Sequence, residues 1–247
     1  MTISEQGRET LAGVTYAELQ VTSNFSFLRG ASHPQELVEA AAALGQAAVT
    51  ITDRNTLAGV VRGHVAAKDA GIRFIPGTRL DLIANLEDPD GQVGLSLLCL
   101  PTDRAAYSRL SCLLTIGKRR APKGQCYLVI DDVLAIAPGQ VFIAVPPASL
   151  DGKAGEAFVT GLRDFVASVP GRVFLAASQT WCGGDALRIT RLSAIAKATG
   201  ARLVATNDVH CHTPERRALA DVLTCIREHC TIDEAGFRLA ANIENHL

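Results

Sequence analysis

Long apolar runs are missing from this chain of 247 residues, and none of its apolar stretches is long enough to span a bilayer as a helix. No positively charged N-terminal segment leads into an apolar core, so no secretory signal is read. None of the seven cysteines forms a C-x-x-C pair. Their odd number and scattered spacing point to free thiols in a reducing, cytoplasmic compartment. An excess of either charge is also missing: 24 basic and 25 acidic residues leave a net charge of -1. Binding to nucleic acid would therefore need a local basic patch. No G-x-G-x-x-G follows the first predicted strand, which disfavours a dinucleotide-binding Rossmann domain. No nucleophile elbow supports Ser/His/Asp chemistry. No Gly/Ser/Pro-rich linker divides the chain, and nothing repeats at a fixed period.

What is present is an alternation of apolar strands and amphipathic helices. Residues 1–13 read as a flexible leader, and 14–247 as one domain. Residues 14–21 read as the first strand. An aromatic loop over 23–30 follows, and then a helix capped by Ser32 with Gln35 returning the bond. Leu37, Val38, Ala41 and Leu44 share one helical face. Residues 47–52 form a second strand that ends in Asp53-Arg54-Asn55. A helix over 57–70 leads to a third strand over 72–75, and then to Arg79.

The turn Asp88-Pro89-Asp90-Gly91 makes 79–83 and 93–100 a hairpin. Residues 103–116 read as a helix, and 117–125 as a loop carrying the basic run Lys118-Arg119-Arg120. Short strands at 126–130 and 141–145 flank a small helix beginning near Asp131. Helices over 152–168, 185–198 and 214–228 alternate with strands at 172–177 and 203–206. About six or seven such βα units suit one barrel-like α/β domain with its site at the C-terminal strand ends.

The richest strand end is Leu203-Val204-Ala205-Thr206-Asn207-Asp208-Val209-His210-Cys211-His212. Four residues suited to a buried strand run into an acid and two histidines, which are metal-ligating types. Asp53 is a plausible second contribution. Glu18, Gln20, Arg54, Arg79 and Gln179 lie at other strand ends. Arginine cannot coordinate a metal. Arg54 and Arg79 are instead expected to pair with the buried carboxylates Asp53 and Asp208, or to hold a phosphate bidentately. His33, in the first turn of a helix, and His64 read as surface or packing histidines. His229 and His246 lie near helix or chain ends, and Cys211 should point away from its flanking histidines.

Five stretches carry a resemblance: YAELQVTSNFSFLRGASHPQELV (16–38), TDRNTLAGVVRGHVAAKDAG (52–71), GKRRAPKG (117–124), VATNDVHCH (204–212) and DVLTCIREHCTIDEAGFRLAANIENHL (221–247). Together they resemble the N-terminal polymerase-and-histidinol-phosphatase (PHP) domain of bacterial C-family error-prone DNA polymerases, related to the polymerase III alpha subunit. The resemblance implies a distorted (β/α)7 TIM-like barrel, excised from the N-terminus of a longer DNA-directed polymerase. The carboxylates of polymerisation would lie outside it.

The resemblance also implies a metal pattern from which this sequence departs. Gln20-Val21-Thr22 stands where the family has His-x-His, and Arg29 replaces an acid in the next loop. Asp53 is kept, but Arg54 and Arg79 replace further ligand positions. Asp208 and His210 are kept, with His212 just beyond.

Three functional expectations follow from that departure. The first is a non-catalytic structural domain, needing no cofactor, whose metal site is filled by Arg–carboxylate pairs. The second is a residual phosphoesterase or 3'–5' exonuclease with Zn, Mn or Mg on Asp53, Asp208 and His210, His212 being a weaker candidate. The third is a phosphate- or DNA-end-binding pocket of Arg29, Arg54 and Arg79. The expected partners are the remainder of the polymerase chain, primer-template DNA and other DNA repair or mutagenesis proteins. No membrane partner is expected.

Overall fold

The computed structural model describes residues 15–89, 93–242 and 244–247. The expected leader over 1–13 lies outside them. Among the described residues no helix is long and apolar enough to cross a membrane.

The first half alternates short strands and helices: β1 (Ala17–Glu18), α1 (Pro34–Ala43), β2 (Ala48–Ile51), α2 (Val60–Ala70), β3 (Arg73–Pro76) and β4 (Thr78–Ile83). Then come β5 (Val93–Pro101), α3 (Arg104–Arg120), α4 (Ile130–Ile136), β6 (Gln140–Val145), α5 (Gly152–Ser168), β7 (Val173–Ser178), α6 (Asp185–Thr199) and β8 (Arg202–Thr206). The chain ends with α7 (Arg217–Glu228) and α8 (Ile232–Ala235), each flanked by a 3-10 turn.

Strands β1, β2 and β3 form a parallel sheet, and β4 to β8 form a second sheet in sequence order. Within the second sheet β5 is antiparallel to both neighbours, while β6, β7 and β8 are parallel. Two isolated bridges join the sheets, Arg54 to Arg79 on one side and Val21 to Val209 on the other. The result is a distorted seven-stranded barrel in which β3 and β4 act as two halves of one bent strand.

Gly77 is the bend between those halves. A Cβ there would lie 2.5 Å from the Leu100 side chain and 3.0 Å from Thr50 Oγ1, so only glycine lets the strand fold inward.

Alternation along the strands divides the apolar side chains. Leu80, Leu97, Phe142 and Leu175 pack outward against Leu110, Leu162 and Phe165 of the helices. Leu98, Leu100, Ile143 and Ala176 form a separate cluster with Leu19 and Ile75, on the inner face of the strands. Helices α1 and α2 cover β2 through Leu37, Val38, Ala66 and Ala67.

Several elements differ from expectation. The N-cap of α1 is His33, one residue later than Ser32, and its N–H donates to Glu36 Oε2 at 2.8 Å. Ser32 is drawn away because its hydroxyl meets His212 Nδ1 at 2.7 Å. Residues 126–129 form no strand, and α4 starts at Ile130. Lys118, Arg119 and Arg120 are the last turn of α3 rather than a loop. Cations there face the negative end of the helix dipole, and Arg120 also pairs with Asp132 at 2.6 Å. The strand expected at 203–206 forms but is not buried throughout: Leu203 and Ala205 are exposed, Val204 is half-buried and Thr206 is buried. Leu203 and Ala205 face an open cavity of about 570 Å³, lined also by Tyr16, Trp181 and Leu247.

Candidate functional site

The mouth of the barrel gathers three separate polar networks, and each uses a different carboxylate.

Asp53 closes the loop after β1. Its Oδ1 accepts from Ser23 N at 2.8 Å and Ser26 Oγ at 2.7 Å, and its Oδ2 accepts from Ser23 Oγ at 2.6 Å. Asp53 is 1% exposed, so both oxygens are spent inside the protein. Burial lifts its carboxyl above the usual value, against the pull of the serine donors. Gly30 makes the loop possible, because a Cβ there would sit 2.3 Å from the Ser23 backbone.

Asp208 belongs to the second network, with Gln20, Thr206 and His210. Its backbone is left-handed, with φ of 47°, and Asn245 Nδ2 donates to its carbonyl at 3.1 Å. Gln20 Nε2 donates to Asp208 Oδ1 at 2.5 Å, and Thr206 Oγ1 donates to Gln20 Oε1 at 3.0 Å. His210 Nε2 stands 3.7 Å from Asp208 Oδ2. Burial opposes ionisation of this carboxyl, but the charges of His210 and Arg79 and the Gln20 bond hold it well below the usual range.

Asp81 anchors the third network and did not figure among the sequence candidates. Arg79 Nε approaches Asp81 Oδ1 at 3.0 Å, and Arg54 Nη1 pairs with Asp81 Oδ2. Ser96 Oγ donates to Asp81 Oδ1 at 2.7 Å and accepts from Arg79 Nε at 2.7 Å. Burial again opposes ionisation, yet the two guanidinium groups pull the Asp81 carboxyl below the usual range. Arg54 and Arg79 thus converge on one acid, and it is neither Asp53 nor Asp208 as expected. A signal was available: Arg79 and Asp81 are two apart in a strand, which puts them on the same face.

Arg29 is partly buried near the same group. Burial and the charges of Arg54 and Arg227 lower its pKa. Arg227 Nη1 donates to the Leu28 carbonyl at 2.8 Å, fixing the loop that carries Arg29.

The remaining candidates lie apart or are engaged elsewhere. Thr22 is buried, and its N–H donates to Val209 O at 2.8 Å. His212 is taken by Ser32, with Glu36 at 4.0 Å. His33 meets Asn24, and His64 packs edge-on to Phe74. Gln179 lines the cavity beside Trp181. Cys211 is buried.

The donor chemistry does not fit a metal cluster. Arg29, Arg54 and Arg79 bring positive charge and no lone pair, and Asp53 is turned inward. Among the described residues no group of three or more His, Cys, Asp and Glu side chains is placed to hold a metal ion.

Glu18 adds a titrating group beneath the mouth. It is buried and accepts from Gln20 N at 2.8 Å, Asn207 N at 3.0 Å and Tyr16 OH at 2.5 Å. Burial outweighs these donors and pushes its carboxyl from 4.5 up to about 7. A carboxyl with a raised folded value holds its proton more tightly when folded. Stability linked to Glu18 is therefore complete below pH 4.5 and declines as pH rises to about 7. The shift corresponds to roughly 3 kcal/mol. Urea melts across that window should show a falling stability that Glu18→Gln flattens. An unchanged slope in the variant would remove Glu18 as the cause.

Residues 18–140 match the family model of the PHP domain. An error-prone DNA polymerase of Caulobacter vibrioides is 51% identical over 232 residues, 94% of this chain and 20% of the relative. Error-prone DNA polymerase 1 of Agrobacterium fabrum is 45% identical over 232 residues, with the same coverage of each chain. The chain thus spans about a fifth of the length of these relatives.

Among solved structures, a proposed metal-dependent phosphoesterase from Bifidobacterium adolescentis has a TM-score of 0.58 at 15% identity, over 80% of this chain and 88% of that one. An amidohydrolase from Chromobacterium violaceum, with bound sulfate and no metal, gives 0.58 at 14% identity over the same shares. These two establish the barrel fold. The family match and the sequence relatives together show that the chain belongs to the PHP-domain family, in the form found in the N-terminal regions of error-prone DNA polymerases.

Proposed function

We propose that this chain is a non-catalytic, structural PHP domain of an error-prone polymerase related to the polymerase III alpha subunit, with arginine–carboxylate pairing in the place of a metal cluster. The observation that carries this reading is the convergence of Arg54 and Arg79 on Asp81. A guanidinium paired to a carboxylate occupies both the space and the negative charge that a divalent ion would use.

The partner in this reading is the remainder of the polymerase chain, since the relatives are about five times as long. An apolar surface suits that role. Leu219, Val222 and Ile226 of α7 are each at least 40% exposed, and Ile232 and Phe237 just beyond are at least half exposed. Leu219, Val222 and Ile226 recur at helical spacing, so α7 presents one exposed apolar face of the kind that partners cover.

Protein purified without a metal-chelating column is expected to carry far less than one equivalent of Zn, Mn or Fe. It should release no nucleotide from a single-stranded DNA 3' end when Mn is added. Near-stoichiometric metal that disappears in Asp208→Ala, together with nuclease activity, would overturn the proposal. Those results would instead favour a one-metal phosphoesterase on Asp53, Asp208 and His210.

A further inference from the structure

Helix α7 ends on two cysteines that its own termination brings together. His229 takes the left-handed conformation, with φ of 52°, and turns the chain back over the last turn. Cys230 N–H then donates to the Cys225 carbonyl at 3.1 Å, and His229 N–H donates to the Ile226 carbonyl at 3.4 Å. These two bonds make a Schellman closure, which brings the side chains at the two ends of the closed turn into contact, usually as an apolar pair. Here both side chains are thiols.

The bonded nitrogen and oxygen lie one and two covalent bonds from their own Cα atoms. The Cα atoms of Cys225 and Cys230 therefore stand within about 7 Å, nearer as the path bends, which is a span that a disulfide bridges. Burial lifts the Cys225 thiol above its ordinary value, and the Cys230 thiol adds to the lift by its charge and by a side-chain hydrogen bond. The sulfurs are neighbours as well as the backbones.

Accessibility separates the two. Cys225 is 6% exposed, whereas Cys230 is half-buried. A reagent in solvent meets Cys230 first and leaves Cys225 to attack from within. Other cysteines donate to oxygen: Cys99 Sγ to Gln140 Oε1 at 3.4 Å, Cys182 Sγ to the Thr180 carbonyl at 3.4 Å and Cys211 Sγ to the Asn245 carbonyl at 3.9 Å. Cys112 and Cys182 are exposed and serve as single-thiol controls within the same chain.

We infer that Cys225 and Cys230 are a redox modification site, a dithiol that a low-molecular-weight disulfide such as oxidised glutathione converts reversibly to a Cys225–Cys230 disulfide. In the first step the Cys230 thiolate attacks one sulfur of oxidised glutathione. The S–S bond breaks, and one glutathione thiolate leaves with the electron pair. In the second step the Cys225 sulfur gives its proton to solvent and attacks the Cys230 sulfur, releasing the other glutathione as thiolate. Two protein thiols are oxidised, one glutathione disulfide is reduced to two thiols, and the two protons end on glutathione. In a reducing compartment such a bond is transient and redox-sensing rather than structural. Oxidation ties the last turn of α7 to the segment that carries the exposed Ile232 and Phe237.

Trypsin gives a direct readout, because it cleaves after Arg217, Arg227 and Arg238 and so separates Cys225 from Cys230. The whole folded chain is equilibrated in a glutathione buffer oxidising enough to place glutathione on Cys112 and Cys182, quenched, and digested without reductant. Peptides 218–227 and 228–238 should stay joined by one disulfide, with glutathione on neither. In denaturing urea the ratio of joined peptides to glutathione-bearing Cys230 should fall at least tenfold, since the closure of α7 is then lost. Cys225→Ala should trap glutathione on Cys230. A wild-type chain that keeps glutathione on Cys230, peptides joined to Cys112 or Cys182 instead of to each other, a ratio unchanged by urea, or no glutathione on Cys230 in Cys225→Ala would each overturn the site.

Discussion

Asp53→Ala is expected to destabilise the domain by about 3–5 kcal/mol, the cost of breaking a buried charged network on one side only. Among the described residues the carboxylate is the only acceptor of the Ser23 N–H, and it organises both the Ser23 and Ser26 hydroxyls. Alanine would leave the Ser23 amide unpaired in a dry pocket, where an unmade bond costs about 1–3 kcal/mol. It would also loosen Ser26 Oγ, which accepts from Arg54 N at 2.9 Å. The damage therefore reaches the backbone that places Arg54.

Thermal melts should show a drop of roughly 10 °C or more for a domain of this size. Asp53→Asn keeps an acceptor and should lose less. The same melts separate a structural carboxylate from a metal ligand. If Asp53 held a metal, a strong chelator would lower the wild-type midpoint towards that of the alanine variant. The inward geometry predicts that a chelator leaves the wild type where it is. A cost below 1 kcal/mol would show that the serine loop does not depend on Asp53.

The parts of this molecule that could be read from sequence were those fixed by local pattern. Helix α5 falls on the expected residues 152–168 because its apolar positions recur at helical spacing between Asp151 and Pro170. The β4–β5 hairpin follows from a turn sequence set between two apolar strands. Strand β8 falls on the expected residues, but the burial its composition suggests fails at Leu203 and Ala205, which line an open cavity. Burial depends on what lies across from a strand, and composition does not report that.

The site divides in the same way. That carboxylates, histidines and arginines meet at the strand ends was legible, because an α/β barrel sends its strand ends to one mouth. Which acid faces which arginine was not. Asp208 turns through a left-handed backbone towards Gln20 and His210. Asp53 is claimed by serines 27 and 30 residues away, a pairing that no local pattern announces.

Asp81→Ala is the complementary experiment, with an expected loss of about 2–4 kcal/mol. The pair is partly exposed, with side-chain accessibilities of 14–29% across Arg54, Arg79 and Asp81, so the cost falls below that of a fully buried charge. Removing the acid leaves two guanidinium groups facing each other, with Arg29 nearby, and most of the penalty is that repulsion. Two consequences follow. Converting the pair to apolar residues, Arg79→Met with Asp81→Leu, should recover a large part of the loss, because the stranded charge is removed together with its partner. Phosphate should also rescue Asp81→Ala more than chloride does at equal ionic strength, since a multivalent anion replaces the missing carboxylate whereas screening acts on both salts alike. Equal recovery in the two salts would mean that the arginines relax into solvent when Asp81 is lost. A loss under 1 kcal/mol, with no benefit from the double replacement, would mean that the Arg54–Asp81–Arg79 network contributes little to the fold. In either case the arginines would have to be explained by what they bind rather than by what they stabilise.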